Sequence, residues 1–224
     1  MLMFLFLSCN TTEEKELEFA TEGEFSDCDP LDTGLCALPF PSSFYQTASL
    51  QTPTGIQLDF RPTSLPVNAD DIQTEPDLWN EKDGFSTLTP IMTYVPNLSP
   101  DGLLRHDELH RYIDEDVRTV IIDVDTQERI PHWAELDMSH EQEDRRVLRL
   151  YPANPMKWGH QYVVGIRNLQ DTNGNLIEPN EAFLALRNHT PTGEYDIDGR
   201  SSLYENTIFP TLENTGFPRD ELYL

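Results

Sequence analysis

Residues 146–178 read RVLRLYPANPMKWGHQYVVGIRNLQDTNGNLIE, and the spacing of apolar residues in this stretch decides the fold. Val147 to Tyr151 is a short apolar and β-branched run closed by Pro152, and from His160 to Asn168 the residues Tyr162, Val164 and Ile166 alternate on one side. A period of two is a strand pattern, because successive side chains of an extended chain point to opposite faces. Between the runs lies ANPMKWG, where Pro155 and Gly159 stop either strand from continuing. Asp171-Thr172-Asn173-Gly174-Asn175 is rich in residues that tolerate positive φ, so it reads as a hairpin turn, with Leu176 and Ile177 starting the returning strand. A β-sandwich edge of this kind holds things; it does no chemistry by itself.

Upstream the same pattern recurs. Val120, Ile122 and Val124 alternate, Asp125-Thr126-Gln127-Glu128 turns, and Ile130 to Leu136 runs back with Trp133 on one face and His132 on the other. This hairpin is expected to pair with or pack on the sheet of the first stretch. His132 reads as a half-buried strand residue, since no Ser or Cys nucleophile motif accompanies it. Residues 37–100 contain prolines at 39, 41, 53, 62, 66, 76, 90, 96 and 100, which leave room only for short strands such as Ile56 to Phe60 and Ile91 to Val95. Trp79 and Phe85 are expected to pin this irregular wrap onto the sandwich, with an aromatic carbohydrate platform as the alternative for Trp79.

The chain has 224 residues, 38% of them hydrophobic, enough for a packed core. Its net charge is −25, and of its fifteen basic residues only Lys15, Lys82 and Lys157 are lysines. Such a surface repels phosphate backbones, which argues against a nucleic-acid partner. Met1 to Leu7 is purely apolar and is followed by Ser8 and Cys9, the pattern of a signal-peptide end before a lipidated cysteine. Asn10 after Cys9 points to the outer membrane. From 10 to 32, nine Asp and Glu residues face the single Lys15, so self-repulsion keeps the stretch extended as an acidic tether. With Cys9 assigned to lipid, Cys28 and Cys36 remain as an even pair that suits a local disulfide in an oxidising compartment.

The wording of CALPFPSSFY (36–45), TPTGIQLDF (52–60), WNEKDGFS (79–86), DVDTQERIPHWAELD (123–137) and GFPRDELYL (216–224) resembles the N-terminal part of large secreted bacterial lipoproteins. In that family a bacterial Ig-like module precedes an α/β-hydrolase domain of lipase or esterase type. The resemblance implies a mainly β chain: an Ig-like antiparallel β-sandwich with an irregular Pro-rich N-terminal wrap and a short C-terminal helix. The expected divisions are a lipoprotein signal remnant at 1–9, an acidic tether at 10–32, the Ig-like β-sandwich with its wrap at 33–190, and at 191–224 a helix and the start of a downstream hydrolase-type domain. The apolar run at Leu222-Tyr223-Leu224 is read as a strand cut short, so the partners implied are the missing C-terminal hydrolase domain and the membrane, through the lipid anchor.

Candidate chemistry is sparse. No GxSxG nucleophile elbow, P-loop or dinucleotide fingerprint occurs, so no catalytic residue is assigned. Glu194, Asp196, Asp198 and Glu205 fit the spacing of an EF-hand loop and form a candidate calcium site, although Pro191 and Gly193 cannot belong to an incoming helix. The alternative for that segment is a turn followed by a helix from Ser201 to Asn214, buried through Leu203, Ile208 and Leu212 and ended by Gly216. The DTNGN turn is a second candidate for calcium. His106 and His110, four apart, would share one face of a helix and supply half of a zinc site. The function expected is that of a noncatalytic module of a membrane-anchored hydrolase; the alternatives are a stand-alone surface binding or adhesion lipoprotein, calcium-assisted, and a small metalloenzyme using His106 and His110.

Overall fold

The structure, a computed structural model, describes residues 27–31 and 35–224. Cys9, the apolar run before it and most of the acidic tether lie outside the described residues. Eight strands are present among those described: β1 (Gln46–Ala48), β2 (Ile56–Leu58), β3 (Ile91–Tyr94), β4 (Thr119–Asp123), β5 (Glu128–Arg129), β6 (His132–Leu136), β7 (Val147–Pro152) and β8 (Tyr162–Ile166). All pairings are antiparallel. β1 and β2 form a small hairpin, while the body holds two three-stranded sheets of order β3-β7-β6 and β5-β4-β8.

The alternation that marks β8 is real: Tyr162, Val164 and Ile166 share one core with Ile91, Leu148, Leu150 and Ala134 of the other sheet. The two runs of the 146–178 stretch do not pair with each other. β7 is the centre of the first sheet and β8 lies against β4 in the second, in a register that sets Ile121 opposite Val164 and Asp123 opposite Tyr162. The DTNGN turn closes as expected, with the Asp171 amide donating to Asn175 O at 2.8 Å and Gly174 at φ +84, a backbone conformation glycine adopts without a Cβ clash. Its return is brief, a bridge between Gln170 and Leu176 followed by the Ile177 amide on Leu169 O.

The expected hairpin over 119–136 divides between the sheets. The Ile130 amide still donates to Ile121 O at 2.8 Å, but Pro131 has no amide to continue that ladder, and its carbonyl accepts from Ala153 beside β7. β6 therefore pairs with β7. His132 then faces inward, fully buried, and Trp133 stacks outward on Tyr151 with ring centroids 5.0 Å apart.

β4 does not alternate in burial; all five of its residues are buried. The cause is a helical layer on the second face, where Val120, Ile122 and Val163 meet Ala182, Phe183 and Leu186 of α2 and, further on, Tyr204, Phe209, Leu212 and Phe217. Beyond the four-residue α1 (Asp77–Asn80), these helices are α2 (Glu181–Arg187), α3 (Tyr195–Asp198), α4 (Ser201–Leu203) and α5 (Phe209–Asn214). The Asn180 side chain caps α2 by accepting from the Phe183 amide. α4 runs into α5 through a π turn at Tyr204–Ile208, because Pro210 cannot donate to the turn before it. Gly165 allows the close approach: a Cβ there would stand 2.5 Å from Leu212 Cδ2.

Residues after 190, expected to open a further domain, share a core with the sheet. Tyr223 donates to Ile166 O at 2.7 Å and the Leu224 carbonyl accepts from Ile166, so the strand-like run at 222–224 lies along the end of β8. The Pro-rich wrap holds its own cluster of Tyr45, Leu58 and Phe60, with Phe40, Phe44, Leu65 and Phe85 packed against it.

Candidate metal centre

Asp123 is the last residue of β4, and its side chain is entirely buried. One carboxylate oxygen accepts from the Asp125 amide at 3.0 Å and the Thr126 amide at 3.3 Å, the local bonding that turns an aspartate-led loop. Gln127 completes the turn at φ +59, its amide donating to Asp123 O.

The β4–β8 register then brings a histidine to this carboxylate. Tyr162 stands opposite Asp123, and His160, two residues earlier, places Nδ1 3.0 Å from Asp123 Oδ1 and 2.9 Å from Oδ2. The same nitrogen lies 3.5 Å from Asp125 Oδ2, which also accepts from the Gln161 amide. Lys157, in the loop between β7 and β8, sets Nζ 3.2 Å from Asp123 Oδ2 and 3.7 Å from Glu128 Oε2. That loop is tied down by the Lys157 amide donating to the Tyr162 hydroxyl at 2.7 Å.

Burial pushes the Asp123 carboxyl up, but the hydrogen bonds from His160, Lys157 and the Thr126 amide outweigh it and hold the group below the usual carboxylate range. Lys157 is shifted up in turn, chiefly by its bond to Asp123. One donor atom from each of Asp123, Asp125 and His160 falls within 4.8 Å of the others, and among the described residues this is the one such group of three or more metal-ligating side chains. Two carboxylates and an imidazole are donor types that could hold a metal ion.

No protein-family model, curated protein or solved structure matches this chain.

The residues singled out from sequence fall elsewhere. Glu194, Asp196, Asp198 and Glu205 are not brought together. Asp196 pairs with both terminal nitrogens of Arg61 at 3.0 Å, Asp198 accepts from Thr192 and Gly193, and Glu205 binds Arg219 and His189. Glu194 precedes the first turn of α3. Spacing alone suggested a loop, but a helical turn at Tyr195–Asp198 points these carboxylates at separate partners. At the DTNGN turn Asp171 is engaged by the Asn173 and Asn175 amides and the Asn175 side chain, which hold its carboxyl low.

His106 and His110 stand exposed on a 3-10 segment broken at Glu108 (φ −114, ψ 19), so they do not share an α-helical face. His132 is held by both ring nitrogens, Nδ1 on Ile130 O and Nε2 on Thr119 Oγ1, each at 2.9 Å. Trp79 is 46% exposed on α1, while Phe85 packs edge-on against Phe40. Cys28 and Cys36 are joined by a disulfide. Sequence reading missed the Asp123 group: Asp-x-Asp at the end of an alternating run was a local signal, but its histidine lies 37 positions away and is recruited only by strand register.

Proposed function

We propose that this chain is a noncatalytic Ig-like β-sandwich module of an anchored envelope protein, carried on a lipidated Cys9 and an acidic tether and presenting a hydrolase-type domain. Supporting this reading is the way the body is closed where the tether enters it. The Cys28–Cys36 disulfide staples the first described turn, and Asp29 inside that loop is clamped to Arg200 at 2.7 Å. A tethered module needs such a fixed root, because pull or thermal motion in an extended acidic segment would otherwise fray the fold from its N-terminal end. Two sheets sharing one core of alternating side chains agree with an Ig-like sandwich.

Expression in a bacterium with an outer membrane, with labelled palmitate, tests the anchor. The label should enter the chain, fractionate with the outer membrane and vanish in Cys9→Ala; an unlabelled, freely soluble chain would refute the reading. The purified chain should leave short-chain ester substrates untouched at the buffer rate.

A second reading, a stand-alone surface binding or adhesion lipoprotein assisted by a bound cation, is favoured by the Asp123, Asp125 and His160 group. Metal-dependent adhesion of cells displaying the chain alone would support it over the first.

A further inference from the structure

We propose that Asp123, Asp125 and His160 bind one divalent transition-metal ion of the zinc type, and that Lys157 is the resident counter-cation this ion displaces. The argument begins with donor chemistry. Calcium takes six to eight oxygens, whereas an imidazole nitrogen beside two carboxylates is a set for zinc, nickel, iron or copper. This group lies apart from the two calcium candidates, at Glu194 to Glu205 and at the DTNGN turn, and its imidazole donor matches a zinc-type ion better than calcium.

Spacing agrees with the chemistry. Zinc-type ions hold nitrogen and oxygen donors at about 2.0–2.2 Å, which puts neighbouring donors about 3 Å apart in an octahedron and about 3.4 Å apart in a tetrahedron. His160 Nδ1 lies 2.9 and 3.0 Å from the two Asp123 oxygens and 3.5 Å from Asp125 Oδ2. These are separations of atoms that could share one ion with little movement.

The donors also sit on fixed elements. Asp123 ends a strand buried throughout, Asp125 is held by the Gln161 amide, and the His160 ring is stacked beside Tyr162 with centroids 6.5 Å apart. Lys157 already places a positive charge 3.2 Å from Asp123 Oδ2, yet its side chain is half exposed and can swing into solvent. Its departure frees Glu128, 70% exposed and 3.7 Å from Nζ, as a third carboxylate and fourth donor. A net charge of −25 raises the local concentration of any divalent cation. Trp158, 90% exposed and next to Lys157 in the chain, is the natural fluorescent probe for that exchange.

The experiment titrates the purified chain with zinc chloride by calorimetry and by tryptophan fluorescence, and with cobalt(II) by visible absorption. The expected result is one saturable site, a tetrahedral or five-coordinate cobalt spectrum, and a fluorescence change lost in Trp158→Phe. His160→Gln and Asp125→Asn, both at least partly exposed positions, should each weaken zinc about tenfold or more. Lys157→Met should tighten it by up to about fivefold, since it removes an exposed competing ion pair. Calcium in excess should not displace zinc. The proposal is overturned by the absence of saturable binding, by His160→Gln binding as the parent does, by Lys157→Met weakening the ion, or by calcium competing on equal terms. Unchanged circular dichroism of the variants separates lost ligation from lost folding, and the palmitate experiment is indifferent to every one of these outcomes.

Discussion

Asp29 and Arg200 are 171 positions apart in the chain, and their side chains meet at 2.7 Å. Asp29 is completely buried, and beyond Arg200 it accepts from the Leu31 amide and, at 2.7 Å, from the Ser42 hydroxyl. Its own amide donates to the Tyr45 hydroxyl, whose pKa burial pushes up to about 12. Arg200 lies against the rings of Phe44 and Tyr204, 5.7 and 5.6 Å from their centroids. One ion pair thus joins the disulfide loop, the aromatic wrap and the helical layer.

Removing one member of that pair leaves the other charged in a dry site. Asp29→Ala should cost about 3–5 kcal/mol of folding free energy, read as a lower urea midpoint. The double variant Asp29→Ala with Arg200→Met should recover much of the loss, and a double variant no more stable than the single one would show that packing matters more than charge.

Reduction of the Cys28–Cys36 bridge opens a ring spanning eight positions. Loop-closure entropy for so short a ring puts the loss on the order of 2–3 kcal/mol. The melting temperature in excess phosphine reductant should fall, and in Cys28→Ser with Cys36→Ser it should be low with or without reductant.

Gly165→Ala tests the contact between β8 and α5. The new methyl would meet Leu212 Cδ2 at 2.5 Å and Val120 Cγ1 at 3.1 Å, and both of those side chains are buried. Overpacking of this kind costs about 1–3 kcal/mol. Leu212→Ala added to Gly165→Ala should relieve the clash, so the pair should fall short of additivity.

His132 should make the fold sensitive to mild acid. Burial, and then the Arg129 charge, lower its pKa below the ordinary 6.5, and its bonds to Ile130 O and Thr119 do not reverse that shift. The unfolded chain therefore binds a proton at a higher pH than the folded one. The contribution is complete above 6.5 and is lost as pH falls from there toward the depressed folded value, at no more than about 1.4 kcal/mol per pH unit. Urea midpoints at successive pH values should decline over that window less steeply in His132→Gln than in the parent.

How far the sequence could be read follows from which interactions are local. Strand identity at Val147–Pro152 and Tyr162–Ile166 was legible, because alternation, Pro152 and the DTNGN turn act within a few residues. The helix after Ser201 was legible from its apolar spacing; α2 was not foreseen, although Asn180 followed by Glu181 is an N-terminal helix signal. The Cys28–Cys36 link followed from counting thiols once Cys9 was set aside.

The sequence by itself determined that this chain is a Pro-punctuated set of short antiparallel strands with an apolar C-terminal helix, since period, turn chemistry and missing amides are properties of neighbours. Only the tertiary structure decided that Pro131 passes the chain from one sheet to the other, that β4 is covered on both faces, and that Asp123 meets His160 while Asp29 meets Arg200. Those contacts depend on strand register and on which face a helix covers, and both are settled by burying apolar surface across distant parts of the chain, which no local spacing records.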